Sequence, residues 1–133
     1  METGDIKIIM EEGRAPSVEA RLVNGDLWMQ SWQMARFFNV FNQKIEANLR
    51  SIFRNHLLWE SDCTLTYRYV DKGIEKQAVY YNMEVLIFLS YRIASFEARI
   101  FRDFVREAFR EHIGRKDNPQ NYRIVWIAPP CYN

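Results

Sequence analysis

The sequence contains few of the residues that build metal, redox or phosphate sites. Its two cysteines, Cys63 and Cys131, have no CxxC partner, and the two histidines complete no zinc-ligand spacing. The five glycines stand singly, which excludes a glycine-rich phosphate loop. No cysteine, base and oxyanion motif occur together. We therefore expect no metal, no cofactor, no small-molecule substrate and no enzymatic activity, and we interpret both cysteines as free thiols in a reducing compartment.

Long hydrophobic runs are also absent. A membrane-spanning helix needs roughly eighteen or more apolar residues in succession, and no such stretch occurs. The N-terminus, METGDIKIIMEEG, is acidic and lacks the basic segment that opens a signal peptide. These absences predict a soluble, cytoplasmic protein with no membrane partner. With 133 residues, of which 48% are hydrophobic and 15% aromatic, the chain has the material for one domain with a core.

Net charge is small but unevenly distributed. The total of +1, from 18 basic and 17 acidic residues, argues against indiscriminate coating of nucleic acid. Residues 1–29 carry three basic against six acidic side chains, residues 30–60 carry four against two, and residues 92–116 carry seven against four. We therefore expect an acidic leading region and two basic helical regions.

Hydrophobic periodicity predicts two antiparallel hairpins. Asn24-Gly25 and Lys72-Gly73 are the turn signals, because both central residues of a tight type I′ turn need positive φ. The second hairpin would be either a wing or an extension of the sheet that the first begins. The segments read as strands around these turns are residues 5–10, 17–23, 27–29, 65–70 and 76–81.

Two helices are predicted after the second hairpin. Asn82 can cap a helix over residues 83–93 that is apolar nearly all round and should be buried, and Ser95 can cap the last helix. The expected fold is α+β, a small antiparallel sheet from two hairpins packed with a helix-turn-helix-like pair and these two longer helices. We assign residues 1–113 to one domain and residues 114–133 to a tail with a short strand, RIVWIA, that could lead into a longer parent chain.

The segment from Trp28 to Arg54 has the outline of a helix-turn-helix. Ser31 can cap a first helix, and the small side chain of Ala35 would let a second helix approach it. Asn39 suits a left-handed turn, where asparagine is the commonest substitute for glycine. A second helix then runs from Asn42 or Gln43 to about Arg54.

The second helix of this pair is amphipathic, and its outer face carries no acid. The apolar arc consists of Ile45, Leu49, Ile52 and Phe53, and Glu46 lies at the margin. Amide, hydroxyl and cationic groups contact base edges and phosphates in a major groove, whereas the simpler alternative is a solvated face. From the outer residues we select as DNA contacts Gln43, Lys44, Arg50, Ser51 and Arg54.

The last helix carries interleaved charges. Its arginines can pair with acids at i,i+3 spacing, as Asp103 can with Arg106, and this is the simpler interpretation. Four arginines on one line nevertheless outnumber the three acids beside them. The alternative interpretation is therefore that this edge of the helix contacts phosphate. Arg92 would either reach phosphate or cap the carbonyls of the preceding helix, with Tyr91 packed. The possible phosphate contacts are Arg92, Arg99, Arg102 and Arg106.

The order of these segments resembles a known family. Tyr80-Tyr81-Asn82 leads into a hydrophobic helix, Tyr91-Arg92 precedes a nearby serine, and an aromatic residue follows Phe101-Arg102. With LWMQSWQMARFFNV and the DKG hairpin, these pieces are similar to the phage-related, virulence-associated RhuM family, relatives of Bro-N and KilA-N DNA-binding domains, over most of residues 6–109. The sequence departs from the family pattern at Ser90, where glycine is usual, and at Phe104, where tryptophan is usual. The resemblance implies a DNA-binding regulator of mobile-element origin, in a family without a settled biochemical activity.

Two functions follow from these patterns. The favoured one is a transcription-regulator-type domain that binds duplex DNA as a homodimer, because a single helix in one groove makes few contacts. The alternative is a protein-interaction or self-assembly module that binds no nucleic acid. The near-neutral charge and the many aromatic residues favour the alternative, and the acid-free helix face favours DNA.

Overall fold

The computed structural model describes residues 2–113 and 123–128. It confirms the α+β architecture, with helices packed against small antiparallel sheets. In chain order the elements are β1 (Asp5–Ile9), β2 (Ser17–Arg21), α1 (Ser31–Phe38), α2 (Asn42–Arg54), α3 (Glu60–Cys63), β3 (Thr64–Asp71), β4 (Ile74–Tyr81), α4 (Met83–Ser90), α5 (Phe96–Ile113) and β5 (Arg123–Ile127).

β1, β2 and β5 form a three-stranded antiparallel sheet with β2 in the centre. Val18 and Ala20 alternate along the inner face of β2 and are buried in the core. The outer face is exposed, and there Lys7 Nζ on β1 lies 3.3 Å from Glu19 Oε2 on β2. The sheet therefore has one face against the core and one in solvent, as alternation along its strands requires.

The Asn24-Gly25 turn forms as predicted, with φ of 53° and 75°, but residues 27–29 do not continue as a strand of the same sheet. Met29 instead makes an isolated antiparallel bridge with Tyr81 of β4. The carboxylate of Asp26 accepts a hydrogen bond from the backbone N–H of Met83 at 3.1 Å, which ties the turn to the start of α4. These long-range partners draw the chain away from the first sheet.

β3 and β4 form a separate two-stranded hairpin, so the wing interpretation is right and the sheet extension is wrong. Lys72 and Gly73 make the tight turn with φ of 53° and 76°. Residues 65–70 and 72–77 are exposed, so the outer part of the hairpin projects into solvent. At its base, the Tyr81 ring stacks on Phe53 of α2 with 6.2 Å between the ring centroids.

α1 and α2 form the predicted helix pair. Gln30, rather than Ser31, is the N-cap of α1, and its backbone N–H donates to Gln33 Oε1 at 2.7 Å. Asn39 adopts the left-handed conformation (φ 57°, ψ 51°), and the N–H of Val40 returns to the carbonyl of Ala35 at 3.0 Å. The turn and the boundaries of α2 are those that the sequence predicts.

α4 and α5 complete the core. Asn82 caps α4 by accepting from the N–H of Val85 at 3.2 Å, and Ser95 caps α5 by accepting from Ala98 at 3.1 Å, both as predicted. α4 ends at Ser90, three residues earlier than predicted. The rings of Phe37, Phe38 and Phe101 pack edge to face between α1 and α5.

The short strand expected within residues 114–133 is present as β5 and is the third strand of the first sheet. Trp126 packs on Phe104 of α5, with 6.5 Å between ring centroids, and Ala128 is buried. The sheet therefore includes strands from both sides of the boundary drawn at residue 113, and Cys131 lies outside the described residues. Among the described helices, none has the length and apolar character needed to cross a membrane.

Candidate nucleic-acid interface

The exposed side of α2 is the one that the sequence predicts. Ile45, Leu49 and Ile52 are buried in the core, whereas Gln43 and Lys44 are exposed. Ala47, Arg50 and Arg54 are exposed as well, while Ser51 is half-buried. The helix thus offers an outer row of amide, methyl and guanidinium groups.

Acidic groups border this row on the side of the wing hairpin. Glu46 and Glu60 line a surface groove with Arg50, Arg54 and Tyr81. Burial of Tyr81, with the nearby carboxylates of Glu46 and Glu60, raises the pKa of its hydroxyl. The cations of α2 are therefore partly balanced on this flank, and the centre of the helix and its opposite flank are the more positive surfaces.

Arg92 lies on the opposite flank and is in contact with α2. Its Nε donates to Asn48 Oδ1 at 2.9 Å, and its Nη2 donates to Ser51 Oγ at 3.0 Å. Asn48 in turn donates to the carbonyl of Lys44 at 2.9 Å. The guanidinium of Arg92 is thereby held beside the exposed row of α2, although its sequence position gave no sign of this contact.

The alternative role considered for Arg92, capping the last carbonyls of α4, belongs to Arg102. Arg102 Nη1 donates to the carbonyls of Ser90 and Ile93, and its guanidinium lies over the ring of Tyr91 at 6.0 Å. Tyr91 is exposed rather than packed in the core. The reason is reach, because Arg102, nearly two turns into α5, faces the end of α4.

The remaining arginines of the predicted phosphate edge differ in their surroundings. Arg106 pairs with Asp103 at 3.1 Å, at the i,i+3 spacing that the sequence predicts. Arg110 pairs likewise with Glu107 at 2.5 Å. Arg99 is exposed on the same helix. Among the candidate phosphate contacts, Arg92 is hydrogen-bonded to α2.

Sequence reasoning missed an aromatic and cationic patch at the start of α2. Phe41, the N-cap of this helix, is 84% exposed. It lines a shallow depression with Trp32, Arg36 and Lys44, and the guanidinium of Arg36 lies over the Trp32 ring at 6.0 Å. The available signal was a large apolar side chain at a capping position, where a small polar residue is preferred. We call these four residues the Phe41 patch.

The chemistry of Cys63 agrees with a structural role. It is buried, and desolvation, together with a contact at 3.5 Å to Glu84 Oε1, raises the pKa of its thiol to about 11. A thiol nucleophile needs the opposite shift, because the thiolate is the reactive form. Among the described residues, no group of three or more His, Cys, Asp and Glu side chains is placed to hold a metal ion.

Comparison with protein-family models, with curated proteins and with solved structures found no match to this chain. The surface of α2 and its surroundings are therefore the features from which a function can be inferred.

Proposed function

We propose that this chain is a DNA-binding regulatory protein that reads duplex DNA by placing α2 in the major groove. The observation that supports the proposal is the exposed row of α2, which presents Gln43, Lys44, Arg50 and Arg54 without an acid among them. An α-helix fits the major groove, whose base edges offer acceptors to arginine and lysine and a donor-acceptor pair to glutamine. The resemblance to the RhuM family agrees with this proposal and with a cytoplasmic location.

In this proposal, some side chains contact the bases and others contact the DNA backbone. The first residues of a recognition helix lie closest to the base edges, which in the proposal assigns base contacts to Gln43 and Lys44 and either base or phosphate contact to Arg50. Arg54, at the far end of α2, and Arg92, which approaches beside Ser51, would bind phosphates. Arg102 is left out, since the carbonyls at the end of α4 use its guanidinium.

Binding should weaken steeply with salt. The four cations Lys44, Arg50, Arg54 and Arg92 would each displace counterions, so log K should fall against log salt with a slope of about −3 to −4. Fluorescence anisotropy with a labelled random-sequence duplex, from about 50 to 200 mM salt, measures this slope. Absence of binding at the lowest salt would overturn the proposal.

Arg50→Ala should reduce the magnitude of the salt slope by about 1 and leave the free energy of unfolding within about 0.5 kcal/mol. The matched control is Arg14→Ala, which removes the same charge from an exposed turn where Arg14 pairs with neighbouring Glu11 at 3.3 Å. Equal effects of the two variants on binding would mean that net charge, and not the face of α2, attracts the DNA.

A second candidate function is self-association through the wing hairpin. Leu65, Tyr67 and Tyr69 alternate along one face of β3, and Ile74 lies on the same face of β4, all exposed. The rings of Tyr67 and Tyr69 stack with 6.1 Å between centroids. An isolated two-stranded hairpin is only marginally stable in water, so cover from a second copy would stabilise it. A homodimer would also bring two α2 helices to one DNA duplex.

Sedimentation velocity at micromolar concentration should therefore show a dimer. Tyr67→Glu should yield a monomer, because it places a charge between Leu65 and Tyr69 and opposite Ala78 on this face of the hairpin. Gln77→Glu is the matched control, since Gln77 pairs with Arg68 and lies on the opposite face of the hairpin. A wild-type protein that stays monomeric with and without DNA would exclude this mode of assembly.

A further inference from the structure

Phe41 has no role in the fold that explains its exposure. Among the large hydrophobic side chains described, none exceeds its exposed fraction of 84%. As N-cap of α2, with φ −69° and ψ 146°, it makes no side-chain capping hydrogen bond. Serine, threonine, aspartate or asparagine at this position would stabilise the helix more, and leaving an aromatic ring in water gains no burial energy. A ligand contact would account for both departures.

The surroundings of Phe41 restrict the chemistry of that ligand. Arg36 and Lys44 supply two positive charges, and Trp32 supplies a half-exposed indole, while no acidic side chain lines the depression. A matching ligand carries negative charge beside exposed apolar groups. In the major groove, DNA offers this combination at thymine, whose C5-methyl group stands beside the phosphate backbone.

We propose that Phe41 packs on a thymine C5-methyl group in the major groove and so determines specificity for A·T pairs at one end of the site. This inference rests on the proposed DNA binding by α2. Phe41 immediately precedes the first turn of that helix, which is the part that lies nearest the bases. Gln43, two residues later, is suited to pair with adenine, and the thymine opposite an adenine presents its methyl in the same groove. One A·T pair can thus satisfy both side chains.

The test removes only the methyl group. A duplex selected by the wild-type protein from a random library is compared with the same duplex in which deoxyuridine replaces every thymine. The wild type should bind the uracil duplex about fourfold more weakly for each methyl contacted, as burial of one such group is worth about 0.8 kcal/mol. Phe41→Ala should bind both duplexes equally and melt like the wild type.

Ile127→Ala is the matched control, because Ile127 is also an exposed apolar side chain but lies on β5. It should keep the wild-type preference for thymine. If the wild type binds both duplexes equally, or if Phe41→Ala keeps the difference, the Phe41 proposal is wrong while DNA binding by α2 stands. Absence of binding to either duplex removes the DNA proposal itself, and this inference with it.

Discussion

Leu49→Ala is expected to lower the free energy of unfolding by roughly 2 to 5 kcal/mol. Leu49 is 3% exposed and belongs to the core cluster that also contains Ala35 and Phe38 of α1. Truncation removes buried methyl groups and leaves a cavity between two helices whose backbones are fixed by a left-handed turn. The midpoint and slope of a urea melt, followed by circular dichroism, give the change directly.

The matched controls lie on the exposed side of the same helix. Gln43→Ala and Lys44→Ala should change stability by no more than about 0.5 kcal/mol, because neither side chain is buried and alanine is a good helix former. The opposite pattern, a stable Leu49→Ala that has lost a binding partner, would mean that the apolar arc of α2 is a docking surface. Helix packing against α1 would then be the wrong account of this segment.

Gly4→Ala should also be severely destabilising, by about 2 to 5 kcal/mol. Gly4 has a φ of +70°, and a Cβ atom there would lie 2.5 Å from the backbone carbonyl oxygen of Arg21. That oxygen belongs to β2, the central strand, so it cannot move aside without disturbing the pairing of β1 with β2. Thermal and urea melts of the single variant measure the loss.

Gly13→Ala separates the cost of the left-handed backbone from the cost of the steric contact. Gly13 has a similar φ of +79°, but nothing lies within 4 Å of the Cβ that alanine would add. Its cost should therefore be the conformational strain alone, about 1 to 2 kcal/mol. If both variants lose the same free energy of unfolding, the carbonyl oxygen of Arg21 moves aside at little cost and only the left-handed backbone matters.

The sequence predicts best the features that depend on neighbours along the chain. The arc of Ile45, Leu49 and Ile52 follows from the period of the helix, and the left-handed Asn39 follows from the tolerance of asparagine for that conformation. The caps at Asn82 and Ser95 follow from side chains that satisfy the first free N–H groups of a helix. All of these were correct.

Features that depend on residues distant in the sequence were harder to predict. Strand alternation in residues 27–29 does not reveal that Met29 pairs with Tyr81 rather than with the first sheet. Helical periodicity places Arg102 on a charged stripe but does not measure its distance to the end of α4, and nothing in the order of residues brings Arg92 to Ser51. The Phe41 patch was missed because periodicity rules apply to residues inside a helix, and Phe41 lies just before one.

The position of β2 between β1 and β5 affects how the chain acquires its structure on the ribosome. β1 meets β2 across a short connection, and α1 meets α2 across one turn, so both pairs can form early. Arg21 of β2 pairs with Arg123 of β5, about a hundred residues later, and closure of so long a loop is entropically costly and slow. Until that segment is synthesised, one edge of the central strand stays open to other chains. We therefore expect β2 to be the segment most prone to pairing with other chains during synthesis, although it has no part in the proposed DNA contact.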